Sequence, residues 1–347
     1  MDTATLPKID NAQWAESGYS IYELTNTQGT CVLVSDLGAT IVSLYTRNRH
    51  QRLSNIVLGY DTPQEYLESQ QYLGASIGRV ANRIDNGEFE VDGVRYQITR
   101  NDGEHCLHGG LPGLHCKQWD LVSQSSSTVS FEIVSPDGEC GFPGDLKVRA
   151  NFELTDDDQL QIVYEATTNK ATPVCLTNHS YFNLADEQAS ILDHEVSIAA
   201  DHYLSVNDKF IPRLMVPVAD TAFDFTSQKS VRSQIMCYEP QLFLCGGFDH
   251  NFCLVQESKE KPSATIYSPE SGRKVEMFTS TPGLQFYTGN QLYGETGQKG
   301  QSLRKYAGLC LEPQFFPNQI NTDSAEECIL RPGTLYTTSI TLKFSND

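Results

Sequence analysis

Positive charge is scarce in this chain of 347 residues: 25 lysines and arginines face 44 aspartates and glutamates, a formal net charge of −19 at pH 7. Such a surface repels phosphate backbones and anionic lipids, so neither nucleic acid nor a membrane is an expected partner. No run approaches the apolar length of a bilayer span. The start, Met1-Asp2-Thr3-Ala4-Thr5-Leu6-Pro7, has no basic region leading into an apolar stretch, so no secretory signal is expected. No Cys-x-x-Cys pair occurs among the ten cysteines, which leaves a zinc framework without support. Free thiols in a reducing cytoplasm are the expectation. Helical signals are few; Thr62-Pro63-Gln64-Glu65 reads as an N-cap with proline at the first helical position.

What the chain has in abundance is a period of two. Leu160, Ile162, Tyr164 and Ala166 alternate with more polar neighbours, as do Val129, Phe131 and Ile133, and Tyr336, Thr338, Ile340, Leu342 and Phe344. These are strands with one wet face. Asp92-Gly93 between Phe89–Val91 and Val94–Ile98 predicts a two-residue hairpin. Further strands are expected over 21–24, 31–34, 40–45, 146–152 and 274–279, and an irregular surface segment over 220–244. Hydrophobic residues make up 39%, ample for a core. The expectation is an all-β protein, a large antiparallel β-sandwich with few short helices.

Four stretches concentrate chemistry. Thr177-Asn178-His179-Ser180-Tyr181-Phe182-Asn183-Leu184 follows a strand-like run and presents an imidazole beside aromatic residues able to stack on a sugar ring. Its plain alternative is a buried structural histidine. In Gly78-Arg79-Val80-Ala81-Asn82-Arg83-Ile84, Asn82 and Arg83 offer donors suited to hydroxyl groups; a surface ion pair is the alternative for either arginine. In Leu107-His108-Gly109-Gly110 the glycines allow a tight turn or a close backbone approach that presents His108. In Leu311-Glu312-Pro313-Gln314 a carboxylate follows an apolar strand, where it must be paired, solvated or functional. Pro313 is expected to end that strand. Asp249 in Phe248-Asp249-His250-Asn251-Phe252 and Gln285 in Gln285-Phe286-Tyr287-Thr288-Gly289-Asn290 add planar hydrogen-bonding groups beside rings.

Taken together and in order, with Ser135-Pro136-Asp137-Gly138 and Gly141-Phe142-Pro143-Gly144 between them, these stretches resemble the aldose 1-epimerases, also called galactose mutarotases. The likeness runs from about Tyr19 to Phe344 and leaves the first dozen or so residues unmatched. It implies one domain over residues 1–347, with about 1–15 a loose extension. It implies interconversion of the α and β anomers of free aldohexoses, with no cofactor and no metal. It places Glu312 on the general base and His179 on the general acid. Asn82, Arg83, His108, Asp249 and Gln285 fall on sugar-contacting positions, with Tyr181 close by. Pro313 stands where family members often carry a small hydroxyl residue. The implied partner is a small-molecule aldose, and the assembly a monomer or homodimer. Partial burial is expected to raise the pKa of Glu312, and the neighbouring carboxylate to hold His179 protonated. Three other readings compete: a hexose-phosphate mutarotase, a glycoside hydrolase using Asp249 with Glu312, and a non-catalytic sugar sensor.

Overall fold

A computed structural model describes residues 11–186, 190–255 and 260–347. The alternating segments are strands whose apolar residues point inward: along Gln159–Thr168, Leu160, Ile162, Tyr164 and Ala166 are buried and their neighbours half-buried or exposed. Nine strands form the larger sheet, in the order Asp120–Gln124, Thr128–Ser135, Leu146–Leu154, Gln159–Thr168, Tyr336–Asn346, Arg273–Thr279, Ala264–Tyr267, Glu195–Ile198, Lys229–Ser230. Six form a second sheet: Tyr181–Phe182, Leu309–Gln314, Gly283–Tyr287, Asp249–Leu254, Ala200–Val206, Pro212–Pro217. Neighbours within both sheets are antiparallel. Phe131, Phe152, Ile162 and Leu342 of the larger sheet share one core with Phe252, Leu284, Phe286 and Leu311 of the smaller. A four-stranded sheet starting at Ile21–Thr25 adds Val32, Val34 and Ile41 to it. Each large apolar side chain so buried contributes about 1.5–3 kcal/mol. This is the expected antiparallel sandwich, and its helices are four and short among the described residues.

The Asp92-Gly93 hairpin forms between Glu88–Val91 and Val94–Gln97, both turn residues having positive φ. Helix Pro63–Glu68 opens on a capping box, Thr62 accepting from the Glu65 N–H while the Glu65 carboxylate accepts from the Thr62 N–H.

Three expectations are overturned, wholly or in part. The strand at Glu312 does not stop at Pro313; it runs from Leu309 to Gln314. Its pairing with Tyr181–Phe182 covers only Leu309 and Cys310, so at Pro313 the strand is paired on one side, where a sheet tolerates proline. The segment 220–244 is irregular surface only in part. Phe223 and Phe225 are fully buried, Phe223 stacks on Tyr203 at 3.8 Å, and helices Val231–Ile235 and Pro240–Cys245 follow. Part of the stretch expected to be a loose extension is packed: Asn11–Glu16 is a helix whose Trp14 is buried and donates its indole N–H to the Asp61 carbonyl at 2.8 Å. Residues 1–10 lie outside the described residues.

Candidate active site

The smaller sheet brings the candidate residues into one row. Asn251 lies opposite Gln285, and Gln285 opposite Glu312, on three adjacent antiparallel strands. Because side chains alternate along a strand, these three share a face with Asp249, Tyr287 and Cys310, while Phe252, Leu284, Phe286 and Leu311 point into the core. His179 reaches the same face from outside the sheet. It follows the short pairing of Thr177–Asn178 with Ser76–Ile77 and is pinned by its own backbone: its N–H donates to the Ala75 carbonyl at 2.9 Å, and its carbonyl accepts from Gly74 at 3.0 Å.

Glu312 and His179 meet side by side. Glu312 Oε2 stands 3.6 Å from His179 Nε2, both groups are almost wholly buried, and Oε2 has no hydrogen-bond partner among the described residues. Burial raises the Glu312 pKa well above the usual carboxylate range, the negative Asp249 adds to this, and the Arg83 cation works against it. Burial also dominates at His179 and pushes its pKa down to about 4, opposed by a hydrogen bond to its own backbone carbonyl. The expectation that a neighbouring carboxylate would keep His179 protonated is therefore not met, because burial outweighs it. Loss of water penalises both charges, so the one proton the pair shares rests on the carboxyl.

The remaining candidates surround this pair. Asn82, Arg83, His108, Tyr181, Asp249 and Gln285 line the same pocket as His179 and Glu312. Arg83 gives its Nε–H to Asp102 Oδ2 at 2.7 Å and makes no hydrogen bond through its terminal amino groups among the described residues. Its backbone N–H is held by the Asn82 side chain at 2.8 Å. Gln285 donates from Nε2 to Asp249 Oδ1 at 2.7 Å and keeps a buried Oε1 without a partner among the described residues. The Tyr181 ring stacks on the His179 imidazole, centroids 5.1 Å apart. All eight residues singled out from the sequence thus lie together.

His108 sits on a turn with φ +53 and accepts the Asn82 backbone N–H on Nδ1 at 3.2 Å. A neutral imidazole that accepts on Nδ1 carries its proton on Nε2. This bears on metal binding, since His108, His179 and Glu312 bring one ligand atom each to within 4.8 Å of one another, a donor set of the zinc type. With its lone pair already engaged by Asn82, His108 offers a donor rather than a ligand, and the set does not fit a metal.

Sequence reasoning missed Tyr72. Its ring lies 4.7 Å from both His108 and His115 and 5.9 Å from His179, so it packs the two site histidines against each other. It has φ +56 in an irregular turn, and nothing in the pattern around it marks it. Gln70, Gln71 and Gln291 complete the rim; Gln71 donates to the Gln291 carbonyl at 3.1 Å. Arg79 lies elsewhere. It is buried and makes no surface ion pair; it donates to the carbonyls of Ser135, Pro136 and Pro143 and so ties down the loop before residue 144. A larger cavity of about 770 Å³ opens beside Phe278 and Thr341, but Asp201, the one carboxylate among its described lining residues, is already engaged by His202.

Comparison with known proteins agrees with this geometry. A sequence model of the aldose 1-epimerase family matches residues 20–343. The chain is 43% identical to the galactose mutarotase of Homo sapiens over 311 residues, 89% of each chain. It is 36% identical to the aldose 1-epimerase of Escherichia coli K12 over 330 residues, 94% of this chain and 95% of that one. The crystal structure of an aldose epimerase homologue from C. elegans superposes with a TM-score of 0.88 at 30% identity, covering 94% of this chain and 99% of the other. With the match spanning almost the whole sequence and both sheets, the chain belongs to the aldose 1-epimerase family.

Proposed function

We propose that this aldose 1-epimerase opens the ring of a free aldohexose by moving two protons, with Glu312 as the base and His179 as the acid. A closed aldose is a hemiacetal. Inverting C1 means removing the proton of the C1 hydroxyl, protonating the ring oxygen as its bond to C1 breaks, rotating about C1–C2, and closing on the other face. Nothing is oxidised and no group leaves. The two oxygens served sit on one carbon, so their acid and base must stand next to each other. The 3.6 Å between Glu312 Oε2 and His179 Nε2 is the observation that carries this reading. The carboxylate–imidazolium form that starts the reaction has the same proton count as the resting form. It is reached by moving one proton between neighbours, helped when the sugar's hydroxyls and Arg83 solvate the charges. Arg83 and the Nε2–H of His108 steady charge on oxygen as the ring opens. Asn82, Asp249 and Gln285 hold the hydroxyls that stay put, and the aromatic walls carry the apolar ring face. We take the chain to work as one domain, as a monomer or homodimer, and in a reducing compartment, the last supported by its ten free cysteines.

Arg83 is the only arginine or lysine among the described lining residues, which favours a free sugar over a hexose phosphate. A hydrolase would need two carboxyl groups flanking a glycosidic bond, whereas the facing groups here are a carboxyl and an imidazole. Polarimetry of freshly dissolved α-galactose tests the assignment. Glu312→Gln is expected to lower kcat by about 10²–10⁴-fold; a variant at wild-type rate removes Glu312 from the chemistry. Binding of galactose without anomer exchange by the wild type would return the protein to the sensor class.

A further inference from the structure

Arg83 is gripped on two sides, by Asp102 and by a ring from a distant part of the chain. Asp102 accepts from Nε at 2.7 Å on one edge of the guanidinium. Over its face lies the Phe210 ring, whose centroid is 4.8 Å from Cζ. Phe210 comes from a distant part of the chain, the tip of the hairpin joining Ala200–Val206 to Pro212–Pro217, which forms the free edge of the smaller sheet. The tip is built to present it. Asn207 Oδ1 accepts the backbone N–H groups of Lys209 and Ile211, both at 2.9 Å, and the Phe210 N–H returns to the Asn207 carbonyl at 3.0 Å. This holds Phe210 at φ +61, a region bulky residues rarely occupy unless the surroundings enforce it. Lys209 next to it is ion-paired with Glu104, in the loop that carries both Asp102 and His108.

We propose that Phe210 and Asp102 are positioning residues that clamp the Arg83 guanidinium between a ring and a carboxylate and so aim its two terminal amino groups at the sugar. This rests on Arg83 acting on the sugar, as proposed above. An arginine side chain has four rotatable bonds, and an unclamped one spends its attraction for the substrate on being ordered. A carboxylate fixes one edge of the planar fork, a ring fixes the plane, and the other edge stays free for ligand. A leucine at 210 would keep apolar contact but provide no quadrupole. The clamp has a second consequence: the guanidinium is the cation that opposes the rise in Glu312's pKa, so freeing it lets that pKa rise further.

Steady-state polarimetry with galactose from pH 4 to 9 on four single variants and one double variant tests the clamp, with melting curves to exclude loss of fold. Phe210→Leu is expected to lower kcat/KM about 3- to 30-fold, the rate equivalent of a part-buried cation–π contact, and to move the alkaline limb to higher pH. Phe210→Tyr recovers most of the rate. Asp102→Asn, at a half-exposed position that tolerates substitution, lowers kcat/KM as well. Adding Phe210→Leu to Arg83→Gln costs nothing further, because the ring acts through the arginine. The clamp is overturned by wild-type kinetics in Phe210→Leu, by equal losses in the leucine and tyrosine variants, or by full additivity with Arg83→Gln. A wild-type rate in Arg83→Gln would instead refute the role of Arg83 itself, and the clamp with it.

Discussion

Burial strips water from Glu312 and His179 alike, and each group responds by giving up charge: the carboxyl holds its proton more tightly and the imidazole more loosely. The two effects add to a pair that is neutral at rest, yet one proton hop from the ionised form the chemistry needs. Single neighbouring charges should therefore steer the pair in opposite directions. Asp249 raises the Glu312 pKa and Arg83 lowers it. Asp249→Asn is expected to move the alkaline limb of kcat/KM, where the pair loses its shared proton, to lower pH and Arg83→Gln to move it to higher pH. Both variants lose sugar contacts and fall in absolute rate, so the readout is the position of the limb. Shifts of the same sign in the two variants would show that Glu312 does not control that limb. The identity of these residues was legible, because an imidazole among hydrogen-bonding residues and a carboxylate closing an apolar run are anomalies in any sequence. The protonation of His179 was not, since it depends on how completely folding excludes water, a property of packing rather than of neighbours in the chain.

Strands bring the site together by register, and register explains both what was readable and what was misread. The wet-faced strands of the larger sheet declare themselves by alternation. Leu309–Gln314 and Gly283–Tyr287 are buried on both faces, one against the core and one under the pocket, so their polar members looked like isolated curiosities until Gln285 and Glu312 were seen to be cross-strand partners. Pro313 was misread because the effect of proline depends on whether a partner lies on its N–H side. Tyr72 was invisible because a turn with φ +56 has no period to read. The His108 turn shows the opposite case. Gly109, at φ +82, lies so close to the preceding loop that an added Cβ would stand 2.1 Å from the Gly78 carbonyl oxygen and 2.5 Å from the Arg79 nitrogen. Both are backbone atoms that no rotamer change can move aside. Gly109→Ala is expected to cost about 1–3 kcal/mol or more in urea unfolding. It should also lower kcat by shifting His108 away from the Asn82 N–H. Wild-type stability in this variant would mean that the turn is not packed against Gly78 as described.

Across the whole molecule, buried imidazoles do structural as well as chemical work, and this makes the protein sensitive to acid. His194 accepts the Leu184 N–H on Nε2 at 2.8 Å, and His250 accepts the Asp249 N–H on Nδ1 at 3.1 Å; a protonated ring could accept neither. Burial lowers the pKa to about 4 at His194 and His179 and to about 3 at His250. A group whose pKa is depressed on folding adds stability that is full above its unfolded value, near 6.5, and is lost as pH falls through the folded value. The window here runs from about 6.5 down to 3–4, and each histidine accounts for about 3–5 kcal/mol across it. Glu312 works in the other direction. Its raised pKa contributes stability that is full below its unfolded value, about 4.3, and is lost as pH rises through the folded value, so it blunts the acid loss without cancelling the histidines. The unfolding free energy from urea titrations is therefore expected to fall steadily between pH 6.5 and 4. His194→Gln, whose Oε1 can stand where Nε2 accepts the Leu184 N–H but which does not titrate, should flatten the slope by about 1.4 kcal/mol per pH unit. An unchanged slope in that variant would show that surface carboxylates, and not the buried histidines, set the acid limit of the fold.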